Sequence, residues 1–188
     1  MAEKDEEKQE TTAEKQENNE KKFSKRVNQL IALSALFLAI CATFASLKAG
    51  GYGNKAILAQ NQASNGWAYY QSKSLKENTY KVQIDHMKMN PSLDEAQKTK
   101  VIEKYQSTID RYKAEEKEIS EQAKAAEALR DKCLGFQGRF AGALTYLQIA
   151  ILLVSLAALV KQLYFWYIGL GVGAIGAFYF ITTLLDTL

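Results

Sequence analysis

The chain's only imidazole is His86, and with Asp85, Met87 and Met89 beside it this is the one place where a soft metal would find nitrogen and thioether ligands. One histidine and two methionines on a turn more often pack or stay solvated, so no metal site is expected. The thiols are Cys41 and Cys133, with no CxxC and no Cys/His cluster, which leaves neither a disulfide framework nor a zinc site. Cys41 lies inside an apolar run and Cys133 outside another. At about 1.5 Å per helical residue they stand about 20 Å apart along the run. A bridge needs Cα atoms within about 7 Å, so both thiols are expected to stay free. No Ser/His/Asp or Cys/His set can be assembled from these groups, and a thin helical hairpin offers little of the cleft that tuned acid–base work needs. No catalytic residue and no cofactor is expected, and an enzyme is the weakest functional class.

Gly171-Val172-Gly173-Ala174-Ile175-Gly176 spells the dinucleotide-binding glycine pattern. That pattern needs a preceding strand and a phosphate in water, and neither is available inside an uncharged run. Gly169 and Gly173 instead form a GxxxG step, where small residues let a second helix approach closely. The most distinctive polar–aromatic cluster is Trp67, Tyr69 and Tyr70, with Gln60, Asn61, Gln62 and Asn65 nearby. Aromatic anchors of this kind dominate many interfaces. They also serve to glue helices together or to dip into headgroups.

Three elements have to position these residues. Val27 to Leu47 contains no charged residue over 21 positions, enough to cross about 30 Å of hydrocarbon. Signal peptides have a shorter apolar core and a basic leader, so a retained anchor is expected. Phe140–Val160 and Leu163–Leu185 are the second and third spans, separated only by Lys161 and Gln162. Tyr164, Phe165, Trp166 and Tyr167 at the head of the third fix that end at an interface. Open-chain segments in lipid must be helical to satisfy their backbone groups.

Between the first and second spans the residues favour helix. Asn90 and Pro91 interrupt it; proline fits a first helical turn, and Ser92 with Glu95 has capping-box spacing. A second arm then runs from about Leu93 to Leu134. It carries a heptad stripe of alternating threes and fours: Ile102, Ile109, Glu116, Ala123 and Arg130 in one position, Tyr105, Tyr112, Ile119, Ala126 and Cys133 in the other. The first arm answers with Ala56, Ala59, Ala63, Trp67 and Tyr70, less regularly after Lys73. Gly50, Gly51 and Gly53 on one side, and Gly135 and Gly138 on the other, mark a joint between spans and arms, or else plain helix ends.

Residues 1–24 hold five lysines and eight acids and too little apolar surface to offset chain entropy, which predicts a disordered charged tail. Residues 49–138 hold 14 Lys/Arg and 12 Asp/Glu, a solvated helical face. The net charge of +3 is not concentrated anywhere, and gives no case for nucleic acid. Five basic residues flank the spans on each side, so charge does not set the orientation. The acidic leader favours a cytoplasmic N-terminus.

The stretch from Lys55 to Lys76, with Trp67-Ala68-Tyr69-Tyr70-Gln71 at its heart, resembles the signature of a bacterial membrane-protein family catalogued as domain of unknown function 4337. The similarity extends over most of 25–185 and includes Tyr146-Leu147-Gln148-Ile149-Ala150 opening the paired spans. The resemblance implies the architecture and no activity.

The fold expected is all-α: three transmembrane helices (25–49, 139–161, 162–187) and a coiled-coil-like antiparallel hairpin over 50–138, turning near 89–92. The function expected is a scaffold or accessory subunit of a bacterial cytoplasmic membrane, whose partners are the lipid bilayer and either a second copy or another membrane protein. The candidate interaction residues are Trp67, Tyr69, Tyr70, Ile102, Tyr105, Ile109, Tyr112, Gly169 and Gly173. A sensor that shifts its spans, or a small transport or channel subunit lined by Gln148, are the alternatives.

Overall fold

A computed structural model of the chain describes residues 25–90 and 94–187. Among them there are three helices and no strand: α1 (Ala2–Met89, described from Lys25), α2 (Glu95–Val160) and α3 (Leu163–Leu185). The expected tail at 1–24 and the restart at Pro91 and Ser92 lie outside the described residues. The chain divides into two compact units, Met1–Gly50 with Phe136–Leu188, and Gly51–Gly135. The divisions fall at the glycine clusters, but neither α1 nor α2 ends there. Those glycines are not helix terminators. A Cβ placed on Gly50, Gly51, Gly135 or Gly138 would meet nothing within 4 Å.

In the first unit each helix buries one narrow stripe. In α2 it is Phe140, Ala143, Leu147, Ala150, Val154 and Ala157, all fully buried, at alternating steps of three and four. In α3 it includes Gly169, Gly173 and Gly176, and in α1 Ile31, Leu38, Ala42 and Ala45. Small residues of α3 therefore face the α2 stripe, and the backbones come close. A Cβ on Gly169 would sit 3.1 Å from the backbone nitrogen of Val154, and one on Gly173 would sit 2.7 Å from Leu38 Cδ2. Packing of this kind rests on van der Waals contact and does not require water to drive it. The outward faces are apolar as well: Leu33, Phe37, Leu152 and Phe178 are all more than half exposed. The three helices are long and apolar enough to cross a membrane.

The polar groups here are satisfied locally. Ser34 donates to the carbonyl of Ile31 at 2.8 Å and accepts the indole N–H of Trp166 at 3.1 Å. Thr43, Thr145 and Thr183 each donate to a carbonyl four residues back. Between α2 and α3 the chain reverses in two residues, and Lys161 adopts a left-handed backbone with φ of 56°.

The second unit is a helical hairpin of the two arms, α1 from Gly51 and α2 up to Gly135. Among the described residues, Asp94 caps its second arm: the Asp94 carboxylate accepts the backbone N–H of Gln97 at 3.3 Å, and its carbonyl takes a helical bond from Lys98 at 2.9 Å. Asp94 and Gln97 repeat the spacing of Ser92 and Glu95 two residues on, and a carboxylate at a helix start also meets the positive end of the helix dipole.

Candidate functional site

The hairpin concentrates the chain's long-range polar contacts. Its first arm buries Ala56, Ala59 and Ala63 almost completely, and these small residues let the second arm come close. A Cβ on Gly66 would stand 3.0 Å from that of Ala123. Beyond Tyr70 the stripe continues without losing step through Lys73, Glu77, Tyr80, Ile84 and Met87, all at least partly buried. The expected irregularity after Lys73 is one of chemistry, not of spacing, because charged side chains occupy seam positions.

Those side chains meet partners on the other arm in antiparallel order. Arg130 donates to the Gln60 side-chain oxygen at 2.7 Å, and the Trp67 indole donates to Glu127 at 2.9 Å. Lys73 pairs with Glu115 at 2.5 Å and lies over the rings of Tyr69 and Tyr112 at about 5 Å. That ion pair holds the Glu115 carboxyl below the usual carboxylate range and lifts the Lys73 ammonium above the usual lysine value. Tyr80 packs against Tyr105 and Tyr112, with ring centroids 5.1 and 6.1 Å away.

One step of the ladder pairs like with like. Glu77 and Glu116 are 5% and 9% exposed, and they share one level of the seam, between the Lys73–Glu115 pair and the Tyr80–Tyr112 contact. Glu77 also accepts Lys81 at 2.6 Å, and this bond holds its carboxyl below the ordinary value against the cost of burial. Glu116 has no such partner. Burial first, then the bond to Glu77, raises its carboxyl above the ordinary value. Its Oε1 is buried without a hydrogen-bond partner.

Of the residues singled out in the sequence, Trp67, Tyr70, Ile102, Tyr105, Ile109 and Tyr112 all lie on the inner seam, and Ile109 is among the most buried side chains of the chain. Tyr69 is 52% exposed. Gly169 and Gly173 pack against Val154, Ala150 and Leu38 of the same chain, so the close approach they permit is made internally. Cys41 and Cys133 are both free thiols, and His86 is exposed. A cleft of about 520 Å³ opens beside Tyr80, Tyr105 and Tyr112, rimmed by Lys76 and Lys104. It is open to solvent and also lined by Thr79, Gln83 and Thr108.

Sequence reasoning missed a second feature. Leu75, Val82 and Met89 are 69%, 67% and 83% exposed, and they recur every seven residues along the outer face of the first arm. The inner stripe, richer in aromatic residues, hid this weaker one.

A family model, Domain of unknown function (DUF4337), matches residues 27–186. No curated protein and no solved structure matches the chain.

Proposed function

The chain belongs to the DUF4337 family, and from that premise we propose that it is a non-enzymatic membrane-anchored scaffold or accessory subunit. Its three apolar helices hold it in a bilayer. Its hairpin presents an outer face to a second copy or to another membrane protein. The observation that carries this reading is the exposed stripe Leu75, Val82 and Met89. Single exposed apolar residues are ordinary on protein surfaces, but three in heptad step form one edge suited to another helix. The outward faces of the three spans support the lipid anchor: their most apolar stretches are no more than 28% buried, which in water would leave most of that apolar surface exposed. The setting proposed is a bacterial cytoplasmic membrane with the N-terminus inside.

Crosslinking in native membranes followed by mass spectrometry tests the docking. Wild-type protein should yield a recurrent adduct through the first arm, and a Leu75→Gln/Val82→Gln double variant should lose it. Monomer alone from the wild type, or an adduct indifferent to the substitutions, would refute the docking role. Tag accessibility at each terminus reads the sidedness.

A further inference from the structure

We propose that Glu77 and Glu116 form a proton-binding site between the two arms, and that its occupancy sets how tightly the hairpin is closed. The inference goes beyond docking and stands whether or not any partner is found.

The geometry supplies the argument. Two carboxyls from opposite arms occupy one level of the seam, between the Lys73–Glu115 pair and the Tyr80–Tyr112 ring contact. Both are nine-tenths buried or more. Two acceptor-only carboxylates cannot hydrogen bond to each other; one must carry a proton to donate. Two buried carboxyls at one level of a seam resist simultaneous ionisation. The surroundings decide which carboxyl keeps the proton. On the first arm, Lys81 is bonded to Glu77, Lys73 is occupied by Glu115, and Lys76 acts on Glu115. On the second arm, Lys113 acts on both carboxyls, Glu115 is neutralised by Lys73, and Arg111 lies 3.6 Å from Glu115. Next along the seam toward the tip, the rings of Tyr80 and Tyr112 lie 6.1 Å apart. Only Glu77 has a cation in contact, so Glu77 is the carboxylate and Glu116 the acid, donating to it. The Oε1 of Glu116 without a partner is tolerable as the oxygen of a neutral carboxyl and costly as that of a buried anion.

The direction of the pH effect follows. Glu116 binds its proton more tightly in the closed hairpin than in an open one. Its contribution to closure is complete below the ordinary glutamate value and is lost as pH rises through its raised value. Within that window the closed form weakens as pH rises, and above it the effect levels off. Protonation of Glu77 works oppositely, at pH below its lowered value, where the Lys81 bond is lost.

Hydrogen–deuterium exchange of the full-length protein in lipid nanodiscs, corrected for the intrinsic pH dependence of exchange, reads the closure directly. Protection of segments 73–81 and 112–120 should fall as pH rises across the window and level off above it. Glu116→Gln keeps the volume and a donor without the titration, and should make protection independent of pH there. Glu77→Gln, which removes the opposing charge, should flatten it too. Infrared spectroscopy of the same samples should show a protonated-carboxyl band that titrates in the wild type and is absent in Glu116→Gln. Wild-type protection flat with pH, or pH dependence that persists in Glu116→Gln, would overturn the proposal. Loss of helical circular dichroism in one variant would shift the decision to the infrared band in the wild type: absence of a carboxyl titrating above the ordinary range overturns it as well.

Discussion

The indole of Trp67 donates its N–H to the carboxylate of Glu127 across the hairpin at 2.9 Å, sixty residues away in the chain. The bond links the centre of the family-like Trp67-Ala68-Tyr69-Tyr70-Gln71 run to the opposing arm, beside the close approach of Gly66 to Ala123. Replacing Trp67 by phenylalanine keeps the apolar ring and removes the donor. The full-length protein should lose about 1 kcal/mol of stability, measured as faster proteolysis within the hairpin. Glu127→Gln, which keeps an acceptor, should cost less.

The third-span glycines separate by position. Gly169→Leu forces a side chain against backbone atoms of Val154 and Ala150 and should cost about 1–3 kcal/mol by overpacking. Gly171, with open space around it, should accept leucine with little change. Thermal unfolding in detergent compares the two. Equal effects would mean that the packing around Gly169 is not the one described.

Acid should weaken the Lys73–Glu115 bridge. The Glu115 carboxyl titrates below its ordinary value because Lys73 bonds its charged form. The bridge thus stabilises closure above the ordinary glutamate value, and that contribution is lost as pH falls through the lowered one. Lys73, raised by the same bond, leaves only at strongly alkaline pH. Cleavage near Lys73 by an acid-active protease should rise as pH drops in the wild type, and Glu115→Gln should start from the faster rate.

Lys161 occupies a left-handed backbone, which an L side chain adopts at a cost of about 1–2 kcal/mol. Lys161→Gly should therefore raise thermal stability slightly, by about 0.5–1 kcal/mol once the added freedom of the unfolded chain is counted. Lys161→Val should lower it.

Arg139 and Asp186 pair at 2.6 Å, with side chains 51% and 57% exposed. Exposed pairs contribute about 0–1 kcal/mol and weaken with salt. Asp186→Asn should loosen the C-terminal residues, read as faster hydrogen exchange there, and high salt should erase the difference from wild type.

Periodicity made the helices and most of the seam legible. The run from Ile102 to Cys133 stands out because apolar residues recur at the step of one helical face. The first arm's seam faded after Tyr70 because Lys73 and Glu77 break the apolar pattern while keeping its spacing. What qualifies them for the seam is Glu115 and Glu116, about forty residues on, and a local window contains no trace of that pairing. Gly169 and Gly173 announced a close helix contact without naming its partner, which proved to be this chain's own Ala150, Val154 and Leu38. Ser92–Glu95 and Asp94–Gln97 offer caps of equal spacing at the start of the second arm, and a local window does not choose between them.

The polar ladder also limits how the hairpin can move. Sliding one arm lengthwise by a helical turn, about 5.4 Å, would strip Arg130 from Gln60, Trp67 from Glu127 and Lys73 from Glu115 together. Each would then confront a mismatched neighbour in a closely packed seam. The arms are keyed like a lock against axial displacement, and the movement left to them is to part sideways or to travel as one piece.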